Sequence, residues 1–121
     1  MTSSTDLFGD GRLIIEEKHR VDIDDQRVLS LTVVQLAPGV VEPTHTHPGF
    51  EILYGLTGQG HVTLDGARTP LSAGQVVYVP NGTVKAITNA SDQSLSVLAV
   101  LVLDRHRPPF TPVTGAERAT A

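Results

Sequence analysis

The chain has 121 residues, a net charge of −4 and no cysteine. That fits one domain with a real core and excludes disulfides, thiolate metal sites and a cysteine nucleophile. Its Lys and Arg residues form no stripe, which sets nucleic acid aside as a partner, and no apolar run approaches the roughly 20 residues that span a bilayer.

Residues 1–10, MTSSTDLFGD, are polar and lack the basic and apolar regions of a secretory signal, so a cytoplasmic protein is the expectation. They read as a flexible tail, or an arm that orders on a partner. Residues 12–15 and 16–23 read as short strands, with Glu16, Glu17, Lys18, Arg20 and Asp22 as a solvated face and His19 exposed among them. Residues 27–37 are dense in Val and Leu, too β-branched for a helix and apt for a core strand. Pro38-Gly39 ends that run. Strands follow at 51–56 and 60–64, then an Asp65-Gly66 hairpin turn. Residues 68–71 are proline-broken, as an edge strand would be.

Residues 75–79 and 84–88 read as two further strands around a Pro80-Asn81-Gly82 turn. Residues 95–103, LSVLAVLVL, are the most apolar run and read as a central strand buried on both sides. Short strands with turns every eight to ten residues, and no helical period, predict an all-β sandwich or barrel over 11–110. The segment after Asp104 predicts a strap across the barrel, and residues 111–121 a flexible tail.

Chemistry concentrates in residues 39–58, GVVEPTHTHPGFEILYGLTG. Two positions apart on a strand, His45 and His47 project from one face with their rings close enough to share an ion. Pro48-Gly49 reads as a turn, so Glu51 is expected on a strand running back beside the first and reaching the same point. Two neutral imidazoles and one carboxylate, with positions left for water or substrate, suit a divalent iron, manganese, zinc, cobalt or nickel ion.

The spacing of Gly39, His45, His47, Glu51 and Gly58 resembles the first motif of the cupin family at every defined position. Gly74, Pro80, Gly82 and Asn89 fill the second motif, but Lys85 stands where that motif has a histidine. The resemblance implies a jelly-roll β-barrel with His45, His47 and Glu51 as metal ligands inside its mouth, and frequent pairing into homodimers. Family activities range from dioxygenases, decarboxylases, isomerases, polyketide cyclases and lyases to non-catalytic proteins, and fold does not choose among them.

An ammonium group has no lone pair to give, so Lys85 opens three readings. His45, His47 and Glu51 hold the metal alone; Lys85 serves catalysis as an acid/base or as an anchor for an oxyanion; or its charge replaces the ion and pairs with Glu51. Glu51 is then both ligand and catalytic candidate. His61 is a possible substitute ligand but is read as exposed, and His106 as a solvated turn residue beside Arg105 and Arg107. Phe110 caps the mouth or closes the core, while Tyr54, Tyr78 and Gln35 line the pocket or simply pack. The function expected is a metal-dependent enzyme acting on a small oxygenated molecule, as a dioxygenase or as an isomerase, cyclase, decarboxylase or lyase. The competing expectation is a non-catalytic binder of a small ligand with a weakened metal site.

Overall fold

The computed structural model describes residues 3–113. Its strands, in chain order, are β1 (Ser3–Asp6), β2 (Leu13–Asp22), β3 (Arg27–Leu36), β4 (His45–Thr46), β5 (Gly49–Thr57) and β6 (His61–Leu64). They continue with β7 (Ala67–Pro70), β8 (Val76–Val79), β9 (Lys85–Thr88), β10 (Leu95–Asp104) and β11 (Thr111–Pro112). All pair antiparallel, in a six-stranded sheet of order β1-β2-β3-β10-β5-β8 and a five-stranded sheet of order β11-β4-β9-β6-β7. The two sheets close on each other as a jelly roll, the all-β architecture that the alternating sequence predicts. Among the described residues no helix is long and apolar enough to cross a membrane.

The core is the inner face of both sheets. Leu13, Leu36, Leu53, Val62, Leu71, Ile87, Leu95 and Val97 are fully buried there. β10 runs through the middle of the larger sheet, paired with β3 on one side and β5 on the other. Its side chains alternate between buried and half-buried, so the expectation of burial on both sides is corrected: only one face meets the core, because among the described residues no layer covers the other.

Other differences come from tertiary pairing. Residues 12–15 and 16–23 join into the single strand β2, because a one-residue register shift between Glu17 and His19 absorbs the break. Within the segment read as a tail, Ser3–Asp6 pairs along β2 as an edge strand. At the other end Thr111–Pro112 pairs with β4, and residues 114–121 of the expected tail lie outside the described residues. β7 is an edge strand, as its proline requires. Asp65 and Gly66 both have positive φ, at 48° and 86°, the type I′ geometry that hairpin turns favour.

Candidate metal and substrate site

Between the sheets lies a cavity of about 370 Å³. His45, His47, Glu51 and Lys85 all line it, so the three expected ligands and the lysine of the second motif meet in one space. The route differs from the one expected. β4 does not run beside β5: it pairs with β9 and β11 in the smaller sheet, while β5 pairs with β10 and β8 in the larger. Glu51 therefore faces the histidines across the barrel, and the Pro48-Gly49 step carries the chain from one sheet to the other. His45 sits directly opposite Lys85 in the β4–β9 ladder.

Each imidazole is oriented by a backbone carbonyl. His45 Nδ1 donates to the Pro43 oxygen at 2.7 Å and His47 Nδ1 to the Pro109 oxygen at 2.6 Å. A carbonyl only accepts, so both rings carry their proton on Nδ1 and both Nε2 atoms present lone pairs. Those two Nε2 atoms face each other at 3.1 Å. Two lone pairs at that distance repel unless a cation lies between them.

A proton does not fill that role at neutral pH. Burial and then the Lys85 charge push His45 down to about 3, and burial also lowers His47, with Lys85 assisting and Glu51 opposing. Two imidazole nitrogens each about 2.0–2.1 Å from one ion, at tetrahedral to octahedral angles, lie about 2.8–3.4 Å apart, which brackets the observed separation. Glu51 Oε1 is 3.8 Å from His47 Nε2, and the buried Glu51 Oε2 has no hydrogen-bond partner among the described residues. These donors fit a divalent metal.

Lys85 competes for the same carboxylate. Its Nζ lies 2.7 Å from Glu51 Oε1, a close ion pair that occupies this oxygen. Among the described residues no group of three or more His, Asp or Glu side chains is placed to hold a metal ion together. Burial alone would lower the Lys85 pKa, but the Glu42 and Glu51 carboxylates outweigh it and raise the value, so the amine stays charged.

Glu42 is the residue that sequence reasoning missed. Fully buried, it sits 3.8 Å from Lys85 Nζ and 3.9 Å from His45 Nδ1, and accepts the Ile87 amide hydrogen at 3.2 Å. Burial raises its pKa, against the pull of Lys85. The available signal was a lone carboxylate between Val41 and Pro43, with apolar residues before it and no charged neighbour.

Phe110 stacks on His45 with ring centroids 4.4 Å apart and lines the cavity, which resolves its role in favour of the mouth. His61 lies on β6 beside the inward-facing Val62, half-buried and away from the cavity lining. His106 and Arg105 bind the Asp25 and Asp24 carbonyls, so that basic cluster leans on the β2–β3 turn. Tyr54, Tyr78 and Gln35 are exposed; they alternate with inward residues and do not line the pocket.

Comparison with known proteins bears on the family and the fold. The cupin domain model matches residues 32–101. An oxalate-binding protein of Thermotoga maritima is 37% identical over 71 residues, covering 58% of this chain and 59% of that relative, so the match spans less than two thirds of its length. A cupin 2 conserved barrel domain protein from Salinispora arenicola superposes with TM-score 0.64 at 30% identity, covering 80% of each chain. A cupin-2 domain protein from Rhodospirillum rubrum superposes with TM-score 0.76 at 15% identity, over 99% of this chain and 79% of that one.

Proposed function

The chain belongs to the cupin family, and from that premise we propose that it is a metal-dependent enzyme acting on a small oxygenated molecule, with His45, His47 and Glu51 holding the ion. The observation that carries this reading is the pair of unprotonated Nε2 atoms facing each other at 3.1 Å. The chemistry a divalent ion would supply there is Lewis acidity toward a carbonyl or enolate oxygen, and an open position for dioxygen if the ion is iron. The T. maritima relative, an oxalate-binding protein, supports a ligand that presents oxygens.

The protein's own residues supply the rest. Pro43 and Pro109 carbonyls fix both rings so that Nε2 points inward. Lys85 places a charged donor at the cavity wall, suited to holding or protonating an oxyanion of the substrate. Phe110 closes the mouth against water. Activities consistent with this set are dioxygenation, or isomerisation, cyclisation, decarboxylation or elimination. The working unit we propose is a homodimer.

A second reading, a non-catalytic ligand-binding protein, is favoured by one observation, the ammonium of Lys85 on the carboxylate that would otherwise serve the ion alone. Metal content separates the two. Protein purified without added ions should carry close to one divalent ion per chain by mass spectrometry, the ion should be lost in His47→Ala, and Lys85→Ala should keep it. Absence of metal, with ligand binding unchanged in His47→Ala, would abandon the enzyme reading.

A further inference from the structure

The cavity has a second polar wall. On the inner face of β2 and β3, where the core positions Leu13, Val34 and Leu36 are apolar, four polar residues intervene: Glu17, Arg20, Ser30 and Thr32. All four line the same cavity as the histidines. Strict alternation along β2 would place Glu17 and Arg20 on opposite faces. The register shift between Glu17 and His19 pairs Glu17 with Thr32 and Arg20 with Ser30, so both side chains turn inward.

Ladder register fixes where this wall lies. Arg20 pairs with Ser30, Ser30 with Leu101, and Leu101 with Glu51, so Arg20 and Glu51 occupy one row across the larger sheet. Three strand spacings separate them, roughly 14 Å between backbones. Glu51 is buried at one end of this row, while the Arg20 side chain, 52% exposed, lies at the cavity rim at the other. Apolar Leu101 and Ala99 lie in the floor between the two ends.

The cluster is built. Ser30 and Thr32 are buried, and their hydroxyls lie 3.0 Å apart. Ser30 Oγ donates to Glu17 Oε2 at 2.7 Å. Arg20 Nε and Nη2 both reach the same carboxylate, at 3.1 and 3.0 Å, which locks the guanidinium plane and leaves the Nη1 edge without a partner among the described residues. Ser30 and Thr32 thus form a hydrogen-bonded polar wall where the neighbouring core positions Val34 and Leu36 are apolar.

We propose that Arg20, Glu17 and Ser30 form a specificity site that reads a second, neutral oxygen function, a hydroxyl or carbonyl, at the far end of the molecule held by His45, His47 and Glu51. The inference rests on the substrate reading given above and narrows it: a substrate with oxygens at both ends and an apolar middle. A carboxylate at the far end is disfavoured, because the Glu17 charge already holds Arg20. A hydroxyl gains from both partners, donating to Glu17 and accepting from Arg20.

Two matched probes test this on the full chain with zinc added, by calorimetry: phenylcatechol, with chelating oxygens at one end, and para-hydroxyphenylcatechol, which adds one hydroxyl at the other. The hydroxylated probe is expected to bind about fivefold tighter, the worth of one net hydrogen bond. Arg20→Ala and the near-isosteric Glu17→Gln should bring the ratio to about one while leaving phenylcatechol affinity within about twofold, a selectivity that loss of folding would not produce. Equal affinities in the wild type, a preference retained in both variants, or no binding of the hydroxylated probe overturns the proposal. Phenylcatechol affinity unchanged in His47→Ala would instead sink the metal-dependent reading, and the ratio would still decide the Arg20 end.

Discussion

His45 and His47 carry different information from the one their spacing conveys. Spacing says that two rings share a face; the carbonyls of Pro43 and Pro109 say which nitrogen each ring offers. With Nδ1 committed, the folded state resists protonation at Nε2, and stability acquires a pH dependence of definite sign. The folded His45 value is lowered to about 3 from 6.5, so as pH falls below 6.5 the unfolded chain takes up the proton first. Stabilisation is thus complete above about pH 6.5 and is lost as pH falls toward 3. In chelator-treated protein the loss between about pH 6.5 and 4.5 should be of order 2 kcal/mol for this residue, and His47 adds to it in the same direction. Urea midpoints across that range provide the measurement. His45→Gln should flatten the slope, and a slope equal to wild type would contradict the burial of a neutral ring.

Within and between strands, a single residue decides more than a run does. Gly49 follows Pro48 at the step from the smaller sheet to the larger, and a Cβ there would collide with the Val102 carbonyl oxygen and crowd Leu103 Cα. Both obstacles are backbone of the central strand β10 and cannot swing aside. Gly49→Ala should therefore lower stability by about 3 kcal/mol, read as a drop in Tm, with Gly66→Ala as a comparison that meets open space and carries only its positive-φ strain. A loss at Gly49 no larger than the φ strain at Gly66 would contradict the collision with β10. The strands themselves were legible because Val- and Leu-rich runs bounded by turn residues mark β3, β8 and β10. The pairing of β4 was not, since a proline-glycine step reads as a hairpin turn until the partners of each strand are known. Nor was the second polar wall, because one bulge residue moves Arg20 inward and leaves His19 and Val21 outward, and charges at 16–22 then look like a uniform solvated face. Glu42 escaped because it lies between strands, where periodicity says nothing of direction.

The outer face of the larger sheet is a property of the whole molecule. Val33, Leu98, Tyr54 and Val76 form one row across four strands, and Leu31, Val100, Ile52 and Tyr78 the next. Neither row contains a charge. Val76 and Tyr78 are 63% and 58% exposed, although large apolar side chains are ordinarily covered, and the face adjoins the half-buried side of β10. An apolar patch that meets a charge only at its β2 edge, where Glu16 pairs with Val33, has little means of selecting a foreign partner by electrostatic complementarity, whereas two copies related by a twofold axis need only a surface that complements itself. The homodimer proposed above would seat a second copy on this face, supplying the covering layer that residues 95–103 were expected to have. Light scattering on the eluting peak at micromolar concentration should give twice the chain mass, and Ile52→Lys should give the single-chain mass, since one lysine on each copy would bring two unpaired charges into the apolar centre. Because Ile52 points away from the cavity, metal content should be unchanged in that variant. A wild type that runs as a single chain, or an Ile52→Lys variant that stays paired, would place the contact elsewhere or remove it.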